Sequence, residues 1–113
     1  MKLNLKHIGI CGNIKEISVN NMVSSAGKDV PNQYNVFIYS EDSVYNCLYS
    51  YNSLIIVLKN GNIIKVGKDY CCSQTTGKYR NKFINMTLKE LDLYIKENMS
   101  YNCDSECWEL KNE

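Results

Sequence analysis

The chain has 113 residues, of which 44% are hydrophobic and 22% charged, and its formal net charge is +1. This length and composition fit one globular domain over residues 1–113 with a modest core, and they exclude an intrinsically disordered chain. No apolar run approaches the roughly 18 residues of a transmembrane helix. Asn4, Lys6 and His7 interrupt the apolar region that a signal peptide would need, so we expect a cytoplasmic protein without a membrane partner.

The first third of the chain predicts strands separated by a long loop. Segments 3–10 and 14–19 alternate apolar and polar residues around a Cys-Gly-Asn turn signal, which indicates a hairpin. Residues 20–33 contain paired asparagines, paired serines, a glycine and a proline, and we expect them to form a long surface loop. Residues 34–39 are rich in β-branched and aromatic side chains and predict a buried strand.

The middle of the chain holds one ambiguous segment and one clear hairpin. Residues 41–49 begin with two acidic side chains and favour a short helix, with a strand as the alternative, because apolar residues at helical spacing follow at Val44, Cys47, Leu48 and Tyr51. Two apolar runs, Ser53–Lys59 and Asn62–Val66, flank Asn60-Gly61. Since Asn-Gly suits the two positive φ values of a type I′ turn, these runs predict a β-hairpin.

Two helices are expected after this hairpin. Residues 75–85 place Tyr79 and Phe83 on one helical face, which would anchor the first helix to the core. Thr87 and Glu90 have the spacing of a capping box, which starts a second helix. The apolar stripe of this second helix is Leu88, Leu91, Ile95 and Met99.

Residues 100–113 are expected to form an acidic C-terminal tail that docks through Trp108 and Leu110 or frays. Together these elements predict an α+β fold. Its small antiparallel sheet has about five strands, contains the Asn-Gly hairpin at its centre and is covered by the C-terminal helices, because the apolar stripe of the second helix needs a large apolar partner.

Six cysteines are present, but their arrangement does not resemble a disulfide framework or a metal site. Cys71 and Cys72 are adjacent, and only Cys103 and Cys107 form a spaced pair. In a cytoplasmic protein we expect reduced thiols that serve as small apolar side chains. The single histidine, His7, leaves too few ligands for zinc, so no metal or cofactor is expected.

Charge is distributed unevenly along the chain. Residues 60–89 carry six basic side chains and one acidic side chain, a net charge of +5, whereas residues 90–113 carry seven acidic and two basic ones, a net charge of −5. The glycine-rich phosphate-binding motifs and the nucleophile elbow of known enzymes are absent from the sequence. We therefore expect a binding protein without catalytic residues rather than an enzyme.

Candidate binding residues lie around the start of the first predicted helix. Hydroxyl side chains at a helix start usually accept hydrogen bonds from its free backbone amides, which is the simpler role for these residues. The alternative is a partner- or phosphate-binding surface made of Ser73, Thr75, Thr76, Lys78, Arg80 and Lys82. A second candidate site is the acidic tail, with Asp104, Glu106, Trp108 and Glu109.

A pattern in residues 51–83 resembles one found in small proteins encoded by bacterial viruses. Its elements are Tyr51-x-Ser53, a short hairpin, and the run Ser73-x-Thr75-Thr76-x-Lys78-Tyr79, in which those proteins often have histidine at the last position. The resemblance implies a phage origin and assigns no catalytic residue. A composition rich in residues with AT-rich codons agrees with this origin.

Small phage proteins with separated charges commonly act by covering a surface of a host protein. By this analogy we predict a stoichiometric inhibitor of a host defence factor, for example an anti-CRISPR protein. Its partner would be a host protein or a protein–nucleic-acid complex. The alternative function is a nucleic-acid or nucleotide-binding module that uses the basic segment 60–89.

Overall fold

The computed structural model describes residues 1–10 and 12–111 and contains one seven-stranded antiparallel sheet. The spatial order of the strands is β1-β2-β3-β4-β5-β7-β6. Within these ranges, three short helices accompany the sheet. In chain order the elements are α1 (Leu5–Ile8), β1 (Ile14–Val23), β2 (Asp29–Ser40), β3 (Val44–Ser50), β4 (Ser53–Lys59), β5 (Asn62–Gly67), α2 (Gln74–Ile84), α3 (Leu88–Asn98), β6 (Met99–Asn102) and β7 (Cys107–Leu110).

The predicted small sheet of about five strands covered by C-terminal helices is therefore wrong. The sheet has seven strands, and strands hold 45% of the described residues against 24% in helices. Four of the expected strands are present as β1, β2, β4 and β5, whereas segment 3–10 is not a strand. Three strands were not expected: β3, which replaces the short helix predicted over residues 41–49, and β6 and β7 at the C-terminus.

The core lies on both faces of the sheet. On the helix face, Leu91 and Ile95 of α3 pack in one buried cluster with Leu48, Ile56 and Val66 of the central strands. On the opposite face, which we call the N-terminal face, Ile8 of α1 packs in a second cluster with Val36, Ile38, Cys47 and Val57. The central strands β3 and β4 are therefore buried on both sides.

Two local predictions are confirmed. Asn60 and Gly61 adopt φ values of 50° and 86°, as a type I′ turn requires, and they join β4 to β5. The capping box of α3 is complete, because the Thr87 side chain accepts from the Glu90 backbone amide and the Glu90 side chain accepts from the Thr87 amide. Of the stripe predicted for α3, Leu91, Ile95 and Met99 are buried in the helix-face core, whereas Leu88 is 38% exposed, so the stripe is confirmed only in part.

The helix predicted over residues 41–49 is wrong, and the alternative of a strand is correct. Val44–Ser50 forms β3, which pairs with β2 and β4. Cys47, Leu48 and Tyr49 are all buried although they point alternately to the two faces. A strand with apolar residues on both faces has no two-residue alternation, so its spacing imitates that of a helix.

The expected loop over residues 20–33 and the expected hairpin of segments 3–10 and 14–19 are also wrong. Residues 20–23 end β1 and residues 29–33 begin β2, with only a five-residue connection between them. The polar residues of 20–23 are tolerated because β1 is the edge strand of the sheet, and residues 29–32 precede the stretch of β2 that pairs in register with β3. Segment 3–10 contains α1 and covers the N-terminal face, so β1 pairs with β2 instead.

The expected C-terminal tail is part of the sheet as far as Leu110. Met99–Asn102 and Cys107–Leu110 pair with each other, and the latter also pairs with β5. Trp108 is partly buried in the helix-face core and Leu110 stays exposed. Residues 112–113 lie outside the described part of the chain. Within the described ranges, no helix has the length and apolarity needed to cross a membrane.

Candidate functional site

Two of the three predicted hydroxyl groups at the start of α2, those of Ser73 and Thr76, are used inside the fold. Ser73 Oγ accepts from the Thr76 amide at 3.1 Å, as the helix cap. Thr76 Oγ1 lies 3.0 Å from both Ser73 Oγ and Ser50 Oγ. Ser50 Oγ in turn accepts from Gln33 Nε2 at 2.8 Å. Thr76 is therefore a buried link between α2 and the sheet, and it presents nothing to a partner.

Arg80 is also an internal residue. It is 2% exposed, and its guanidinium donates to the Tyr70 carbonyl oxygen and to Asn81 Oδ1. No carboxylate of the described residues lies within ion-pair distance of it. Burial lowers the pKa of the Arg80 guanidinium from its ordinary value. These contacts attach the segment before α2 to the helix, which is a structural role.

The remaining predicted residues of this set are on the surface. Thr75, Lys78 and Lys82 are exposed. Lys78 Nζ lies 5.6 Å from the centre of the Tyr79 ring, a cation–π distance. Lys82 Nζ donates to the Val23 carbonyl oxygen at 2.7 Å and so holds α2 to the end of β1. The exposed set is therefore smaller than the sequence predicts, with Lys78 as its least restrained cation.

A cleft of about 560 Å³ lies beside this surface. It separates the segment before α2 from α2 itself and from the first residue of α3. None of the described residues that line it is acidic; they are Cys71, Cys72, Ser73, Gln74, Gly77, Lys78, Arg80, Asn81 and Leu88. The cleft thus combines apolar and amide groups with one exposed ammonium group. Sequence reasoning missed Cys71, Cys72 and Leu88 because they come close to Lys78 only in the fold.

In the second predicted site, the acidic tail, two carboxylates form ion pairs with lysines of the basic segment. Because β7 pairs with β5, Glu109 lies 3.1 Å from Lys65 Nζ, and Glu106 lies 2.7 Å from Lys68 Nζ. The Lys68 ammonium, which donates a hydrogen bond to Glu106, lowers the pKa of that carboxyl. Two of the six basic side chains of segment 60–89 are therefore paired with two acidic side chains of the C-terminal segment. Of the acidic set only Asp104 is exposed without an ion pair among the described residues.

Trp108, the aromatic member of the acidic set, lies between two tyrosines. Its ring centre is 5.3 Å from that of Tyr70 and 4.8 Å from that of Tyr101, both in edge-to-face geometry. Such pairs add stability beyond the buried area. Trp108 therefore packs the helix side of β7 and is only partly available to a partner.

A histidine and a cysteine meet on the N-terminal face but do not form a nucleophile and base. His7 Nε2 lies 3.6 Å from Cys107 Sγ and 2.8 Å from the Ser105 carbonyl oxygen. A carbonyl only accepts, so Nε2 carries the proton and donates it to Ser105. Burial raises the pKa of the Cys107 thiol, which keeps it neutral. The pair fixes the N-terminal segment to the β6–β7 turn.

The five cysteines that lie within the described residues are unbridged. Cys47 and Cys107 are buried, and burial raises the pKa of Cys47 to about 12. Cys71, Cys72 and Cys103 are exposed, whereas Cys11 lies outside the described part. No group of three potential metal ligands occurs among the described residues.

A family model described as "Family of unknown function (DUF8033)" matches residues 4–100. The matched region spans most of the chain, from α1 into β6, so the chain belongs to this family. No curated protein and no solved structure matches the chain.

Proposed function

We propose that this member of the DUF8033 family is a stoichiometric protein-binding inhibitor of a host defence factor, of the anti-CRISPR kind, acting in the cytoplasm of a phage host. The observation that carries the proposal is the open cleft beside α2, which has no acidic side chain among its described lining residues. Concave sites with apolar walls and a few polar groups are common binding sites.

Several groups that could have supported chemistry are engaged elsewhere. Thr76 and Arg80 make internal hydrogen bonds, and His7 donates to a backbone carbonyl. The cleft itself presents one ammonium group, amide groups, Leu88 and the exposed thiols of Cys71 and Cys72, with no histidine or acidic side chain among the described lining residues to activate those thiols. Such a surface supports binding of a partner better than transformation of a substrate.

The lining indicates which partner chemistry fits. Leu88 and Cys72 provide apolar contacts, Gln74 and Asn81 provide amide groups, and Lys78 provides a cation. A protein segment with an acidic side chain beside an apolar one would complement the apolar groups, the amide groups and the cation of the cleft. The Lys78 charge would act mainly on the rate of association, since charges at an interface rim steer encounter.

The alternative, a nucleic-acid or nucleotide-binding module, is supported less well. Among the six basic residues of segment 60–89, Arg80 is buried, Lys65 and Lys68 form ion pairs, and Lys82 is held by Val23. Only Lys78 and Lys89 remain as exposed cations without such contacts among the described residues. Two phosphate contacts give weak, weakly salt-dependent binding.

The proposal is tested by expressing the protein in bacteria that carry individual defence systems, including CRISPR nucleases, and measuring phage plating. The expected result is restored plating with one system and not with the others. A panel in which no defence system is suppressed would contradict the proposal, and steep salt-dependent binding to labelled nucleic acid instead would favour the alternative.

Reversing the charge at Lys78 tests the position of the site. Lys78→Glu is expected to weaken binding to the inhibited factor by about tenfold at low salt and less at high salt, because a rim charge is screened. The melting temperature should stay within a few degrees, since the side chain is exposed. Binding is measured by isothermal titration calorimetry or surface plasmon resonance at two salt concentrations.

Lys96→Glu is the matched control, because Lys96 is an exposed lysine in the last turn of α3 and does not line the cleft. It should bind as the unmodified protein does. If Lys96→Glu weakens binding and Lys78→Glu does not, the cleft is not the site.

A further inference from the structure

The two edges of the sheet differ in length and in protection. At one edge, β6 has only four residues. At the other, β1 has ten, and the segment from Glu16 to Asn21 pairs with β2 in unbroken register between two irregularities. Natural proteins usually protect a long edge with lysine, proline, a β-bulge or an inward-pointing charge. In β1, Lys15 and the two irregularities lie toward the ends, and the stretch from Ile17 to Asn21 contains none of these protections.

The hydrogen bonds of β2 reveal which groups of β1 face outward. The Tyr51 amide donates to the Asn32 carbonyl and the Ser40 amide donates to the Ser43 carbonyl, so even-numbered residues of β2 bond to β3. Since bonding alternates in antiparallel sheets, odd-numbered residues of β2 bond to β1. The bond from the Glu41 amide to the Asn13 carbonyl agrees with this parity.

Ser18 and Asn20 lie opposite Phe37 and Asn35, and they therefore make the hydrogen bonds of β1 to β2. The residues that alternate with Ser18 and Asn20 along β1 direct their backbone N–H and C=O groups away from β2. The outward-facing residues are Ile17, Val19 and Asn21.

The side chains of the same edge are apolar and exposed. Ile17 and Val19 lie opposite Ile38 and Val36, on the N-terminal face, and are 40% and 47% exposed. An edge that offers both unpaired backbone groups and apolar side chains is suited to pairing with another strand.

We propose that β1 pairs antiparallel with β1 of a second copy of this chain, with Val19 at the twofold axis. Val19 then faces Val19, and Ile17 of each copy faces Asn21 of the other. These are three hydrogen-bonded pairs, about six backbone bonds in all. Ile17 also lies diagonally beside Val19 of the other copy, within reach of a side-chain contact.

The choice of a second copy rests on the chemistry of the edge. The stretch from Ile17 to Asn21 carries no charge, so an identical strand can pair with it around a twofold axis, as an isologous interface requires. In this register Lys15 and Glu16 face Val23 and Met22 of the other copy, so no like charges are opposed. The net charge of +1 causes little repulsion between copies.

The experiment is light scattering after size-exclusion chromatography, from roughly 5 to 500 μM, because an interface of one strand pair is at the small end and gives weak association. The expected mass rises from that of one chain to that of two. Val19→Pro should stay at the mass of one chain at every concentration, with an unchanged melting temperature. Proline is tolerated where the amide faces outward, and it removes the donor at the centre of the interface.

Two further variants keep the test decisive. Val19→Lys opposes two ammonium groups at the axis and should also abolish the increase in mass. Val44→Lys is the control, because Val44 is an exposed valine (39%) that lies on β3, away from the edge, and it should associate normally. An unmodified protein that stays at one chain at the highest concentration overturns the proposal, as does association of either Val19 variant or loss of association in the control.

Amide exchange provides an independent readout. At the highest concentration the amides of Ile17, Val19 and Asn21 should become protected, while those of Ser18 and Asn20 are protected at all concentrations by β2. Protection that does not depend on concentration, or that does not alternate along β1, would contradict the edge pairing.

Discussion

Leu91→Asp is expected to unfold the protein. Leu91 has no exposed surface and lies in the helix-face core between α3 and the sheet. Shortening a buried leucine costs about 2–5 kcal/mol, and an unpaired carboxylate in the same place adds several more. Since a domain of this size is stable by roughly 5–15 kcal/mol, the sum approaches the whole stability. Circular dichroism during heating should show no cooperative transition.

Leu93→Asp is the matched control. Leu93 lies on the same helix two residues further along, and its side chain is 56% exposed. Its replacement should shift the melting temperature by only a few degrees. If Leu91→Asp melts as Leu93→Asp does, α3 does not pack on the sheet through the side that the structure shows.

Gly67→Ala is expected to have the second largest effect. Gly67 ends β5, and a Cβ atom added there would lie 1.8 Å from the Leu54 carbonyl oxygen. The obstacle is backbone of a central strand, which moves only if the β4–β5 pairing is distorted. Overpacking of this kind costs about 3 kcal/mol or more, which corresponds to a drop of roughly 10 °C or more in melting temperature.

Gly77→Ala should raise the melting temperature instead of lowering it. A Cβ at Gly77 would meet the Arg80 guanidinium at 3.5 Å, an ordinary contact, and the residue lies inside α2, where alanine is favoured over glycine by up to about 1 kcal/mol. Heating both variants under the same conditions compares them directly. A Gly67→Ala variant as stable as Gly77→Ala would mean that β4 and β5 are further apart at Gly67 than described.

The parts of the fold that depend on neighbouring residues could be predicted from the sequence. Asn60-Gly61 specifies its turn because few residue pairs accept two positive φ values. Thr87 and Glu90 specify the start of α3 through bonds to each other. Ser73 caps α2 for the same local reason, and Tyr79 anchors that helix as its spacing predicts.

The parts that depend on distant residues could not be predicted. Residues 41–49 imitate a helix because β3 has core on both faces, which only the complete sheet determines. Arg80 is buried because the segment that contains Tyr70 folds over it. Lys65 and Glu109 compensate each other because β7 returns to pair with β5, a contact between residues more than forty positions apart. The net charge of a sequence segment therefore did not predict the charge of the surface to which that segment contributes.

Titration of the purified protein against the purified defence factor that it suppresses, with measurement of the remaining activity of that factor, distinguishes stoichiometric inhibition from turnover. A stoichiometric inhibitor that covers a surface gives a linear loss of activity that ends at about one protein per binding site and does not change with incubation time. That breakpoint is the result we expect. Complete loss at a small fraction of one equivalent, progressing with time, would show turnover and contradict the proposed function.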